Sequence, residues 1–171
     1  MATAVLLLAL ALALGMSANA SPNATYVVSS ADDLQAAAKD ASSSLEPGSS
    51  VLLILSPGVY LLSQTLVFDS LSVHLRGNSS ATVSCGERSP GTAVLFTASA
   101  FRGVTSINIT LEDVTFTSCD DTAVKMTMPS DVSAAMLNVT HCTFTGNSLS
   151  FGSPGSELRA GGLFAIGSNL R

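Results

Sequence analysis

Ile109-Thr110-Leu111-Glu112-Asp113-Val114-Thr115-Phe116-Thr117-Ser118-Cys119 and Leu137-Asn138-Val139-Thr140-His141-Cys142-Thr143-Phe144-Thr145-Gly146-Asn147 align without a gap at an offset of 28 residues. Apolar positions coincide at Ile109/Leu137, Leu111/Val139, Val114/Cys142 and Phe116/Phe144, and Thr115/Thr143 and Thr117/Thr145 are identical. Within each copy, two alternating pairs are separated by a three-residue step, from Leu111 to Val114 and from Val139 to Cys142. A strand cannot keep one face inward across such a step, so the chain must bend or bulge there. Strand, corner and strand, repeated at 28, describe coils that stack in parallel, with like residues about 4.8 Å apart. A β-sandwich would instead show hairpin turn signals and polar alternation.

The flanking sequence fits the same plan. Ser30 is an N-cap with Asp33 three positions on, and Leu34, Ala37, Ala38 and Ala41 recur at helical spacing. One short amphipathic helix is expected, ended by Ser42-Ser43-Ser44 and Glu46-Pro47-Gly48. Val51-Leu52-Leu53-Ile54-Leu55 is an apolar run of strand length, closed by Ser56-Pro57-Gly58. Val59 to Leu62, Leu66-Val67-Phe68 and Val73-His74-Leu75 read as further short strands, the last stopping at Gly77-Asn78. His74 points opposite to its apolar neighbours, whereas Cys142 shares the inward register of Val114 and is expected in the core. Gly152-Ser153-Pro154-Gly155-Ser156 reads as a loop inserted between coils.

Composition agrees with stacked coils. Of 171 residues 27 are Ser and 15 are Thr, only 11% are charged, and Trp is absent. Outward hydroxyl ladders explain how so few charges suffice at the surface. Disordered chains are charge-rich and apolar-poor, and helical bundles need the Lys, Glu and Arg that are scarce here. Seven Lys and Arg against twelve Asp and Glu leave a net charge of -5 and no basic patch, which excludes nucleic acid as a partner.

Residues 1–20 read as a signal peptide: Val5 to Met16 is an apolar core too short for a bilayer span, and Ala18-Asn19-Ala20 offers a cleavage site. No later run approaches a membrane span. Asn23, Asn78, Asn108 and Asn138 each open an N-x-S/T triplet, and Asn108 and Asn138 alternate with inward apolar residues, so both face outward. A secreted or cell-surface protein follows. Of Cys85, Cys119 and Cys142 at most one pair can form, leaving one thiol. His74 and His141 are isolated, so neither a metal nor a cofactor is expected.

Two sets of residues then carry a resemblance to a known family. Asp33-Leu34-Gln35-Ala36-Ala37, Ser56-Pro57-Gly58-Val59-Tyr60 and Val73-His74-Leu75-Arg76-Gly77 resemble the opening of right-handed parallel β-helices of the pectin-lyase-like superfamily. In that superfamily a short helix caps the first coil. Phe144-Thr145-Gly146-Asn147 and Gly161-Gly162-Leu163 are similar to the F-x-x-N and G-G-A-[ILV] repeats of polymorphic outer-membrane, adhesin-type β-helices. The first copy departs from the pattern, with Cys119 in the Asn position, and Leu163 stands where Ala is usual. The resemblance covers about residues 26–171. It implies an all-β, right-handed parallel β-helix with an N-terminal capping helix: a signal peptide at 1–20, an N-terminal segment and cap at 21–48, and coils over 49–171. Gly161 to Gly167 looks like the start of another coil, so the solenoid is expected to be truncated at its C-terminus, with edge-to-edge self-association at its last coil.

One stretch argues for catalysis. Ser118-Cys119-Asp120-Asp121-Thr122-Ala123-Val124-Lys125 resembles the G-D-D-C-[IV]-A-[IV]-K segment of polygalacturonase-type hydrolases, which makes Asp120 and Asp121 candidate acid and base. The rest of that machinery is missing: no N-T-D precedes it, His141 is not between glycines, and no R-x-K occurs. A pectate-lyase reading would need a cluster of Ca²⁺-binding carboxylates with an Arg beside it, and Arg76, Arg88 and Arg102 are scattered. The expectation is a structural, adhesive or carbohydrate-contacting protein without catalysis, its partner a polysaccharide or a cell-surface glycan or protein. The alternative is the N-terminal part of a pectin-degrading hydrolase or lyase.

Overall fold

The structure, a computed structural model, describes residues 22–86, 91–98, 103–120, 122–128, 132, 134–147 and 163–166. The signal peptide expected at 1–20, Asp121, the loop at 152–156, Gly161 and Gly162 lie outside them.

The described residues are mostly β, with one helix. The strands are β1 (Ala24–Val28), β2 (Ser50–Leu55), β3 (Gly58–Leu61), β4 (Leu66–Asp69), β5 (Ser72–Ser84), β6 (Val94–Thr97), β7 (Ser106–Thr117), β8 (Val124–Thr127), β9 (Ala134–Thr140), β10 (Thr143–Thr145) and β11 (Leu163–Ile166); helix α1 spans Ala31–Ser44. Every strand pairing among the described residues is parallel. The pairings form three columns. The first stacks β1, β2, the start of β5, the start of β7, and β9. The second stacks β3, the ends of β5 and β7, and β10. These two share one seven-stranded sheet, because β5 and β7 run through both. The third is a separate four-stranded sheet of β4, β6, β8 and β11.

The 28-residue repeat is a pairing register. Ile109 pairs with Leu137, Leu111 with Val139, Thr115 with Thr143 and Phe116 with Phe144, all 28 apart. The bend falls where the three-residue step required it. Asp113 (φ 55°) and His141 (φ 52°) both take the left-handed conformation, as do Ser118 (φ 59°) and Gly146 (φ 63°) one strand later. Each pair is 28 residues apart, so one backbone solution to the corner is used twice. Non-glycine residues in that region cost about 1–2 kcal/mol each, which the pairing on both sides must offset.

The strand expected to stop at Gly77-Asn78 instead continues to Ser84. Gly77–Ser80 lie opposite the single Asp113, so β5 carries its extra residues at the corner and regains register at Ala81–Val114. Gly77 is required there: a Cβ at this position would run into the Asp113 carbonyl.

Alternation sends Val51, Leu53, Leu55, Val73, Leu75, Ile109, Leu111, Val83 and Phe116 inward from one sheet and Leu66, Phe68, Val94, Phe96, Val124 and Met126 inward from the other. Each such side chain contributes about 1.5–3 kcal/mol on full burial. Like residues stack along the columns, Phe68 on Phe96 with ring centroids 5.7 Å apart and Phe116 on Phe144 at 5.3 Å. Burial weakens in β9 and β10, where Leu137, Cys142 and Phe144 are only partly covered and Val139 is 38% exposed. Cys142, expected in the core, is thus half-buried against it.

Helix α1 packs on β1, β3 and β4 through Leu34, Ala37, Ala38 and Ala41, at the first strands of both sheets. Its last turn takes in Ser42-Ser43-Ser44, and it ends at Ser44 with Leu45 as C-cap, ahead of Glu46-Pro47-Gly48. The three hydroxyls are satisfied on Val67 O, Asp40 O and Asp40 Oδ1, so serine costs the last turn little. Ser30 is the N-cap and accepts from the Asp33 N–H, and the Asp33 carboxylate in turn accepts from the Ser29 N–H and hydroxyl. Cys85 and Cys119 form a disulfide across neighbouring strands of the second column, leaving Cys142 free.

Candidate contact surface

The outer face of the second column is a small grid of hydroxyls. Thr82, Thr115 and Thr143 lie in one row across β5, β7 and β10, and Ser84, Thr117 and Thr145 in the next. Neighbours along a row are about 4.8 Å apart and the two rows about 6.6 Å apart, as parallel pairing and alternation dictate. Thr143 and Thr145 are exposed, Thr82, Thr115 and Thr117 half-buried, and Ser84 is nearly covered. Val59 and Leu61 of β3 continue the two rows and are 72% and 60% exposed. An apolar foot therefore adjoins the hydroxyls. Branching at Cβ restricts the threonine χ1 angles, so these threonine hydroxyls have few positions to choose from when something binds. The sequence marked Thr115, Thr117, Thr143 and Thr145 through the repeat, but Thr82 joins them only through pairing at a different interval.

The outer face of the first column is chemically different. Across β5 and β7, His74 Nε2 lies 3.0 Å from Glu112 Oε2, and Arg76 Nε lies 3.8 Å from the same oxygen. At the corner, His141 Nδ1 lies 3.5 Å from Asp113 Oδ1. His74 does point outward, as its alternation required, and is half-exposed. Solvent-screened pairs of this kind contribute about 0–1 kcal/mol each. They were not legible in the sequence, because His74 and Glu112 are 38 residues apart across the corner insertion.

At the helix end of the sheets, Tyr26 donates to Asp40 Oδ2 at 2.6 Å, and Ser44 donates to Asp40 Oδ1. These hydrogen bonds hold the Asp40 carboxyl below its ordinary range and raise the Tyr26 phenol. Asp33 is lowered likewise by Ser30 and Ser29. Tyr60, buried beneath, has its hydroxyl on the carbonyls of Val28 and Ser56 and is raised by burial. A shallow groove between α1 and β4 is lined by Gln35, Lys39, Ser42, Gln64 and Val67. These contacts seat the helix.

Asp120 is exposed on a bend after left-handed Ser118, and Asp121 lies outside the described residues. Among the described residues no group of three or more His, Cys, Asp or Glu stands close enough to hold a metal ion. Burial pushes the Cys142 thiol up, away from the thiolate form a nucleophile needs. Of the repeat residues, Phe144 stacks on Phe116 and Asn147 reaches back to the preceding strand, its Oδ1 accepting from the Cys119 N–H and its Nδ2 donating to Phe116 O. Both are structural. Asn23, Asn78, Asn108 and Asn138 are all exposed.

No family model, curated protein or solved structure matches this chain. Among the described residues no helix is long and apolar enough to cross a membrane.

Proposed function

We propose that this is a secreted or cell-surface right-handed parallel β-helix of the pectin-lyase-like kind that contacts carbohydrate without transforming it. The observation that carries the reading is the second-column grid: Thr82, Thr115, Thr143, Ser84, Thr117 and Thr145 held in register beside exposed Val59 and Leu61. A sugar ring presents hydroxyls at its edge and C–H groups on its face. Threonine hydroxyls next to an apolar strip complement both, and a repeating grid suits a repeating polymer. The three parallel columns, the corners repeated at 28 and the helix over the first strands support a coiled solenoid. The Cys85–Cys119 disulfide supports an oxidising destination.

The test is retention on insoluble polysaccharides, pectic and cellulosic, by the full chain and by Thr115→Val/Thr143→Val. Valine keeps the β-branched shape and removes the hydroxyls. Retention lost in the variant supports the reading. Release of reducing sugar by the wild type, abolished in Asp120→Asn, would replace it with a hydrolase.

A further inference from the structure

Five asparagines fall among the described residues, and their amides divide cleanly. Asn147 uses both ends of its amide, the nitrogen on Phe116 O, and it is followed by Ser-Leu. The other four open N-x-S/T triplets, and all four are exposed. Asn23 engages only its oxygen, which accepts from Ser50, so its nitrogen is left for substitution. No hydrogen bond among the described residues uses the side-chain nitrogen of Asn78, Asn108 or Asn138.

The four are also placed together. In the first column, register puts Asn23, Ser50, Ser72, Asn108 and Met136 in one outer row, and Thr25, Leu52, His74, Thr110 and Asn138 in the next. Asn78 stands in the insertion at the corner bordering this face. The outer faces of the second and third columns carry no such triplet among the described residues. In a chain with 42 Ser and Thr residues, hydroxyls do not limit where triplets arise. The restriction lies in where asparagine is placed.

We propose that Asn78, Asn108 and Asn138, with Asn23, are N-glycosylated, and that the glycans form a one-sided coat over the first column. This rests on the exported part of the function proposed above, and on no binding activity. In the modification, the amide nitrogen attacks the anomeric carbon of an oligosaccharide carried on a polyprenyl diphosphate. The carbon–nitrogen bond forms, the bond from carbon to the diphosphate oxygen breaks, the lipid diphosphate leaves, and one amide proton goes to base. Transfer precedes folding, so the folded structure decides whether the glycan is tolerated. An outward amide on a sheet face meets that condition. Met136 lies opposite Asn108 in its row and is 42% exposed, so a glycan there must shield its sulfur.

The test is expression of the full chain in a eukaryotic secretory host, once with its own N-terminus and once behind an established leader. Secreted protein is analysed by peptide-N-glycosidase shift and glycopeptide mass spectrometry, with Asn78→Gln, Asn108→Gln and Asn138→Gln alongside. Each substitution is expected to remove one glycan's mass, and peroxide oxidation of Met136 should be slower before deglycosylation than after. Secreted, disulfide-bonded protein with these three asparagines unmodified overturns the proposal, as does a Met136 oxidation rate indifferent to glycan removal. Failure only behind the native N-terminus would strike the exported reading and leave the glycan sites standing.

Discussion

Cys119 occupies in its strand the place that Asn147 occupies in the next, and the two are joined: the Cys119 N–H donates to Asn147 Oδ1 at 3.1 Å. The same amide donates to Phe116 O, so one side chain satisfies two backbone groups just past the left-handed turn at Ser118. Removing it leaves both without that partner. Asn147→Ala should lower stability by about 1–3 kcal/mol, and Asn147→Asp, which keeps the acceptor, by less. Urea unfolding monitored by circular dichroism orders the three proteins, and equal midpoints would refute the role.

The Cys85–Cys119 bond closes a segment with a sequence separation of 34, which in the chain-entropy description contributes about 3–4 kcal/mol. Cys85→Ala/Cys119→Ala should shift the unfolding midpoint accordingly, and reductant should affect the wild type alone. Alkylation of the native protein should report one thiol, Cys142, reacting slowly at neutral pH because burial raises it.

Phe116 and Phe144 stack face to face, yet only Phe116 is fully enclosed. Phe116→Ala should cost about 3–5 kcal/mol. Phe144→Ala, partly exposed already, should cost roughly 1–2 kcal/mol. Comparable losses at the two positions would mean that β10 is covered as deeply as β7.

Asp33 and Asp40 are held below the ordinary aspartate value by hydrogen bonds at the two ends of α1. Depressed carboxyls stabilise the fold above their unfolded value and lose that contribution as pH falls through the folded one. The helix should therefore loosen below about pH 4. Tyr26, raised by Asp40, acts in the opposite direction: its contribution is full below its unfolded value and fades only above about pH 10. Amide exchange across residues 31–44 at pH 3 and pH 6 measures the acid limb, and Asp33→Asn/Asp40→Asn should flatten it.

What the sequence disclosed depended on uninterrupted spacing. One offset of 28 holds from β7 to β9 and β10, so it exposed pairing and corner together. Between β5 and β7 the interval is 36 residues at Val73/Ile109 but 33 at Thr82/Thr115. No fixed offset aligns them, which hid Thr82, the His74–Glu112 contact and the true length of β5. Helix α1 was legible from Leu34 to Ala41 because burial sets its period. Its last turn was not, because Ser42-Ser43-Ser44 reads as a stop until Val67 and Asp40 are known to receive the hydroxyls. Asp120 and Asp121 are marked by local motif alone, which says nothing of partners on other strands.

Pairing at 28 residues, down to matched left-handed corners at Asp113 and His141, makes that stretch a repeated structural unit. An in-frame duplication of such a unit would meet a neighbour already shaped to receive it. Recombination between the copies could thus lengthen or shorten the protein by whole turns without redesigning any side chain. On the reading proposed above, copy number would then set the reach of the hydroxyl grid.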